Sequence, residues 1–259
     1  MPGAEIEKCL RVDLHQCRGN EQRKFFRGSL SWVFPSRAAS STSRLIDVLL
    51  LLANPTGVDV NADRFEQRRD VRWEQPLIRL RFLDPQMQAA RGFPVADLAV
   101  PAPTFRQLAV SGATVVITEN LRNFLALPEL SGGIAVQGGG DAATQLAETP
   151  WLAASRILYW GDLDPRGFVI LARLRRIFPQ TASLLMDEAT LDANLRLAVP
   201  HESSEEPPDG LHSDEQRTLE RLRAARLRLE QERIPFATVI DALSRAIVEF
   251  KKMEGVPVK

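Results

Sequence analysis

The stretch Ile157-Leu158-Tyr159-Trp160-Gly161-Asp162-Leu163-Asp164-Pro165-Arg166-Gly167 decides how this chain is read. An apolar run ends in two aspartates spaced by one residue, then breaks at Pro165 and Gly167 into a helix-like pattern. Alternate residues of a strand share a face, so Asp162 and Asp164 are expected to project to one side where the strand stops. Neighbouring carboxylates repel unless neutralised, and a hard divalent cation does this with oxygen ligands. A third acid, Glu119, closes another apolar run, Ala113-Thr114-Val115-Val116-Ile117-Thr118. The carboxyl ends of parallel strands face the functional crevice, which predicts that the three acids converge there on metal.

Working outward, strand-like runs fall at 113–118, 133–137, 156–160 and 183–186, with helix-compatible segments at 120–127, 141–148 and 166–178 between them. Strands alternating with helices at this spacing predict an α/β fold with a parallel sheet covered on both faces. In the third helix Ile170, Leu171, Leu174, Ile177 and Phe178 share an apolar arc. Arg173, Arg175 and Arg176 fall outside that arc and read most simply as a solvated face, whereas Arg166 sits at the helix start beside the acids.

Upstream, the Ser/Thr cluster at 36–44 reads as a linker or as the cap of a helix over 45–53. A polar stretch at 60–74 holds Arg64, Arg68, Arg69 and Arg72. Ile78, Leu80 and Phe82 then alternate with Arg79 and Arg81, which predicts a strand with one buried and one basic face. That basic face is either solvated or turned toward phosphates. The segment 85–103, rich in Pro and Gly, reads as a loop-like connection. Downstream, 201–210 is an acidic, Pro-rich loop. Ser213-Asp214-Glu215-Gln216 resembles a capping box opening a helix through Leu229, and Pro235 starts a last amphipathic helix.

Composition bounds the function. Lys+Arg and Asp+Glu both number 33, so no global basic field marks a nucleic-acid binder, though a local basic groove is compatible with balance. Cys9 and Cys17 are the only cysteines and form no CxxC pair, which argues against structural zinc and a disulfide framework. The first residues carry no apolar signal core, and the apolar run at 45–53 is too short to span a bilayer. A cytoplasmic protein without membrane association is expected.

A lone DxD is a weak motif, shared by phosphatases, sugar-nucleotide transferases and nucleases. The acids have an alternative use as caps for the following helices, favoured by the helix dipole. Asp187, after the run at 183–186, is a fourth acid that would either bind a second metal or cap the next helix. Gly138-Gly139-Gly140 fits neither the P-loop nor the dinucleotide pattern and reads as a tight turn.

Several motifs together carry a resemblance. Ile117-Thr118-Glu119-Asn120, Phe124-Leu125-Ala126-Leu127-Pro128, Gly138-Gly139-Gly140, the Tyr159–Asp164 segment with Gly167-Phe168, Ser183-Leu184-Leu185-Met186-Asp187 with Ala189-Thr190-Leu191, and the segment 228–235 stand in order. They resemble the Toprim domain of the Wadjet anti-plasmid nuclease subunits, the JetD family, which is similar to the A subunit of topoisomerase VI. The match runs from about residue 57 to about residue 242.

The resemblance implies a Toprim-like parallel sheet over 105–259, preceded at 1–104 by a smaller, partly winged-helix-like DNA-binding region that would include 76–85. It implies Mg²⁺, or Mn²⁺, bound by Glu119, Asp162 and Asp164. It implies cleavage of double-stranded plasmid DNA beside an SMC-type ATPase complex, with a homodimer open as an assembly. Arg69, Arg72, Arg79, Arg81 and Arg166 become the candidate DNA contacts, with Arg68 beside them. The chain departs from the family at Arg166, where His is usual, and is expected to lack most of the family's long N-terminal arm. Its single tyrosine, Tyr159, lies inside a strand run rather than upstream. Hydrolysis by metal-activated water is therefore expected in place of a tyrosine nucleophile. Two other functions stay open: a small-molecule phosphohydrolase using the DxD, and a DNA-binding remnant without catalysis.

Overall fold

Alternation at Ile78, Leu80 and Phe82 builds β1 (Leu77–Phe82), with those three side chains buried, in a computed structural model that describes residues 76–110, 112–138 and 142–253. The expected helix at 45–53 and the residues Arg64, Arg68, Arg69 and Arg72 lie outside the described residues. So does any winged-helix-like part before residue 76. The segment 85–103, expected to be a loop, instead carries α1 (Pro85–Ala90), β2 (Asp97–Pro101) and the start of α2 (Ala102–Arg106). Its prolines are helix starters: Asp84 caps α1 by accepting from the Gln86 and Met87 amides, with Pro85 at the first helical position.

Next come β3 (Thr114–Thr118), α3 (Leu121–Ala126), β4 (Gly133–Gln137), α4 (Ala142–Leu146), α5 (Pro150–Ala153), β5 (Arg156–Trp160), α6 (Pro165–Ile177) and β6 (Ala182–Ser183). They form one six-stranded sheet in the order β2-β1-β4-β3-β5-β6. β4, β3, β5 and β6 are parallel, as the alternating pattern predicts, whereas β1 is antiparallel to both β4 and β2. The segment 76–85, expected in the upstream DNA-binding region, thus contributes a strand of this sheet through Leu80, Arg81 and Phe82 opposite Val136, Ala135 and Ile134. Every residue of β3 is buried, the signature of a strand covered on both faces.

The connection from β3 to β4 travels one way along the sheet, and those from β4 to β5 and from β5 to β6 travel the other. Right-handed crossovers therefore put α3 on one face and α4 to α6 on the opposite face. In agreement, α4 packs against α2 and α6. The expected strand at 183–186 is cut to two residues because Leu185 takes a left-handed backbone conformation, with φ of 57°.

After β6 come α7 (Glu188–Asn194), β7 (Val199–Pro200), α8 (Ser213–Ala225), β8 (Leu227–Arg228) and α9 (Phe236–Met253). The capping box of α8 is shifted by one residue from the expected register: Glu215 accepts from the His212 amide at 2.8 Å. The helix stops at Ala225, short of the expected Leu229, because Arg226 turns left-handed and the chain enters β8 to pair with β7. Arg175, expected on a solvated face, is buried and makes a bidentate pair with buried Glu215 at 2.7 and 2.8 Å. Arg173 and Arg176 are exposed, as expected. Among the described residues no helix is long and apolar enough to cross a membrane.

Candidate functional site

β3 and β5 are neighbours whose onward connections leave in opposite directions. In an open α/β sheet this divergence leaves a crevice at the carboxyl ends of the two strands. Register aligns the ends: Thr118 pairs with both Trp160 of β5 and Gln137 of β4, so Glu119, Gly161 and Gly138 are the next residues out at one edge. Asp162 and Asp164 follow Gly161 directly. Glu119, Asp162 and Asp164 therefore stand at one edge of the sheet for topological reasons.

Each acid has a different protein donor. Glu119 Oε1 accepts from the Tyr159 hydroxyl at 2.5 Å. Asp162 Oδ1 accepts from the Gln231 amide at 2.8 Å. Asp164 Oδ1 accepts from the Gly167 amide at 2.8 Å and caps α6. Capping, one of the two uses open from sequence, is thus realised at Asp164, while Glu119 and Asp162 cap nothing.

Burial pushes the Glu119 carboxyl above its usual range, and Asp162 and Asp164 add to this. The Tyr159 hydrogen bond and the Arg166 charge oppose the rise. Asp162 is raised by burial first, then by Asp164 and Glu232, against the hydrogen bonds from Gln231. Burial and then the Glu119 charge push the Tyr159 phenol well above the ordinary tyrosine value, so it holds its proton at neutral pH.

Gln231 is the site residue that sequence reasoning did not single out. It is buried, and its Oε1 accepts from Thr118 Oγ1 at 2.7 Å and from Asn123 Nδ2 at 2.8 Å. Leu229 and Leu163 exchange backbone hydrogen bonds, which fixes the 229–231 segment against the loop carrying Asp162. The only sequence signal was its membership of the 228–235 motif. Two glycines make room for the acids. A Cβ at Gly167 would overlap the Asp162 carbonyl oxygen, and one at Gly161 would overlap the Tyr159 phenol.

Among the described residues no three His, Cys, Asp or Glu side chains are grouped as a metal site requires. The three carboxylates share the sheet edge, but each is held by its own protein donor. Asp187 accepts from the Thr190 amide at 2.7 Å and caps α7.

The arginines divide sharply. Arg79 makes a bidentate pair with Asp97 on β2, at 2.8 and 2.6 Å, and lies 5.4 Å from the Phe124 ring. That pairing holds Asp97 below the usual carboxylate range. Arg81 donates to the Leu127 carbonyl, and burial lowers its proton affinity. Arg79 thus ties β1 to β2, and Arg81 ties β1 to the residue that follows α3. Arg166 is exposed, and among the described residues it makes no hydrogen bond or ion pair.

Residues 71–243 match the family model described as Wadjet protein JetD, C-terminal. No match was found among curated proteins.

Proposed function

Because the chain belongs to the family of the Wadjet protein JetD, C-terminal, we propose that it is a metal-dependent DNA endonuclease acting within a Wadjet defence system. In this reading the six-stranded sheet is a Toprim-type sheet, the substrate is double-stranded plasmid DNA, and an SMC-type ATPase complex is the partner. The observation that supports it most is the collection of Glu119, Asp162 and Asp164 at the ends of β3 and β5, where the connections diverge.

The donor chemistry fits Mg²⁺ or Mn²⁺, since all three side chains offer hard oxygen. Each gives one named oxygen to a protein donor, and a carboxylate with about four lone-pair sites retains capacity for a cation. When bound, such a cation supplies charge neutralisation at the scissile phosphate and activation of water.

The chain's own residues have separable tasks. Gln231 and Gly167 hold Asp162 and Asp164 through backbone amides. Glu119 joins Asp162 and Asp164 on the cation, its alternative task being to take a proton from attacking water. Tyr159 is fully buried with its hydroxyl on Glu119, so it is not the nucleophile. Arg166, exposed beside the acids, contacts the phosphate being cut. Of the candidate DNA contacts among the described residues, Arg79 and Arg81 are engaged within the fold and Arg166 is left to meet the duplex; Arg69 and Arg72 lie outside the described residues.

One observation favours a second reading, a DNA-binding remnant without catalysis: the acids are not grouped as a metal site. Purified protein with Mg²⁺ is offered supercoiled plasmid and, separately, generic phosphate esters. Nicked plasmid with inert esters is the expected result. Ester turnover without nicking would establish a phosphohydrolase instead, and plasmid binding without Mg²⁺-dependent heat in calorimetry would establish the remnant.

A further inference from the structure

Tyr159 is the only tyrosine in the chain, and none of its surface is exposed. Burying a hydroxyl costs free energy unless it is hydrogen-bonded, so phenylalanine would serve better if packing were the whole purpose. The partner here is a carboxylate at the mouth of the crevice, Glu119 Oε1 at 2.5 Å. Three features of sequence make the contact. Register sets Tyr159 opposite Ile117, so Glu119 comes level with Gly161. The phenol runs along the strand end from residue 159 over residue 161. Gly161 leaves that path open, because a Cβ would overlap the hydroxyl oxygen and two ring carbons.

We infer that Tyr159 is a positioning residue for Glu119, its hydroxyl fixing one carboxylate oxygen so that the other is presented to the cation. The inference rests on the metal-binding reading above. It assigns the Tyr-x-Gly-Asp spacing a physical meaning: the tyrosine reaches over the glycine to orient an acid supplied by the neighbouring strand. Hydrogen-bonded outer partners of this kind typically set metal affinity by about 10–100-fold.

Titration calorimetry with Mg²⁺ alone, on the full chain, tests this. Tyr159→Phe keeps the ring volume and removes the hydroxyl, and should raise the Mg²⁺ Kd by about tenfold or more. Glu119→Gln should abolish binding, and Asp84→Ala, a cap lost far from the acids, should leave Kd within about twofold while lowering thermal stability. Wild-type binding lost in Glu119→Gln but kept within about twofold in Tyr159→Phe would overturn the positioning role and leave the metal site standing. Absence of Mg²⁺ binding by the wild type would overturn both.

A second measurement needs no variant. Ring-labelled tyrosine gives a single Tyr159 resonance, and its hydroxyl-bearing carbon should shift as Mg²⁺ saturates the site. A resonance that stays still at saturation would overturn the inference.

Discussion

The backbone amide of Gln231 donates to Asp162 Oδ1 at 2.8 Å, joining residues 69 positions apart. Through its side chain the same residue also receives Thr118 and Asn123. One buried glutamine therefore ties together the end of β3, helix α3 and the loop that carries Asp162.

Gln231→Leu keeps most of the volume and strands two buried donors. Leaving a buried donor unsatisfied costs about 1–3 kcal/mol, so the variant should lose about 2–4 kcal/mol in urea unfolding. A loss under about 1 kcal/mol would mean that Thr118 and Asn123 find other acceptors.

Gly167→Ala sets propensity against sterics. Alanine in a helix is favoured over glycine by about 1 kcal/mol, so propensity alone makes the variant more stable. The added Cβ would overlap the Asp162 carbonyl oxygen, backbone that cannot move without shifting Asp162 itself. A lowered melting temperature and weakened Mg²⁺ binding are expected together. A more stable variant with unchanged binding would show that the loop relaxes freely.

How much of this was legible in the sequence depends on distance along the chain. The runs at 133–137 and 156–160 match β4 and β5 residue for residue, because strands buried on both faces leave uninterrupted apolar stretches. The acids that follow β3 and β5 came from the same pattern. Antiparallel β1 was visible as a strand, but nothing local says which strand it joins, so its place beside β4 was not. Asp84-Pro85 was a helix start masked by the Pro/Gly density around it. Arg175 read as solvated because its partner, Glu215, lies 40 positions away. The same holds for Gln231 and Asp162: helical or strand periodicity carries no information about a contact made at that separation.

The buried Arg175–Glu215 pair gives stability a dependence on pH. Burial pushes the Glu215 carboxyl up, but hydrogen bonds from Arg175, Ser183 and the His212 amide outweigh it and bring it down to about 2. A carboxyl depressed in the folded state contributes stability that is full above its unfolded value, about 4.3, and is lost as pH falls toward 2. The loss should be on the order of 3 kcal/mol. Chemical denaturation from pH 6 to about pH 2 should show an acid limb that flattens in Glu215→Gln. An identical limb in that variant would place the titration elsewhere.

Arg166 and Arg79 should separate DNA contact from folding. Arg166 is exposed and makes no hydrogen bond or ion pair among the described residues, so Arg166→Ala should leave the melting temperature nearly unchanged. It should weaken plasmid binding and make the salt dependence shallower by about one unit of log–log slope. Arg79→Ala breaks a partly exposed pair with Asp97 and should cost at most about 1 kcal/mol of stability. Equal effects of the two variants on binding would return β1 to the DNA surface.

Cleavage of supercoiled plasmid by the purified Glu119→Gln, Asp162→Asn double variant tests the central claim most directly. Both substitutions keep side-chain shape and remove charge from the two acids that cap no helix. In Mg²⁺ the wild type should nick plasmid and EDTA should abolish the reaction, while the folded double variant should leave the plasmid supercoiled. Cleavage that persists in the folded double variant, or that resists EDTA in the wild type, would contradict the assignment of these acids as a metal-dependent nuclease centre.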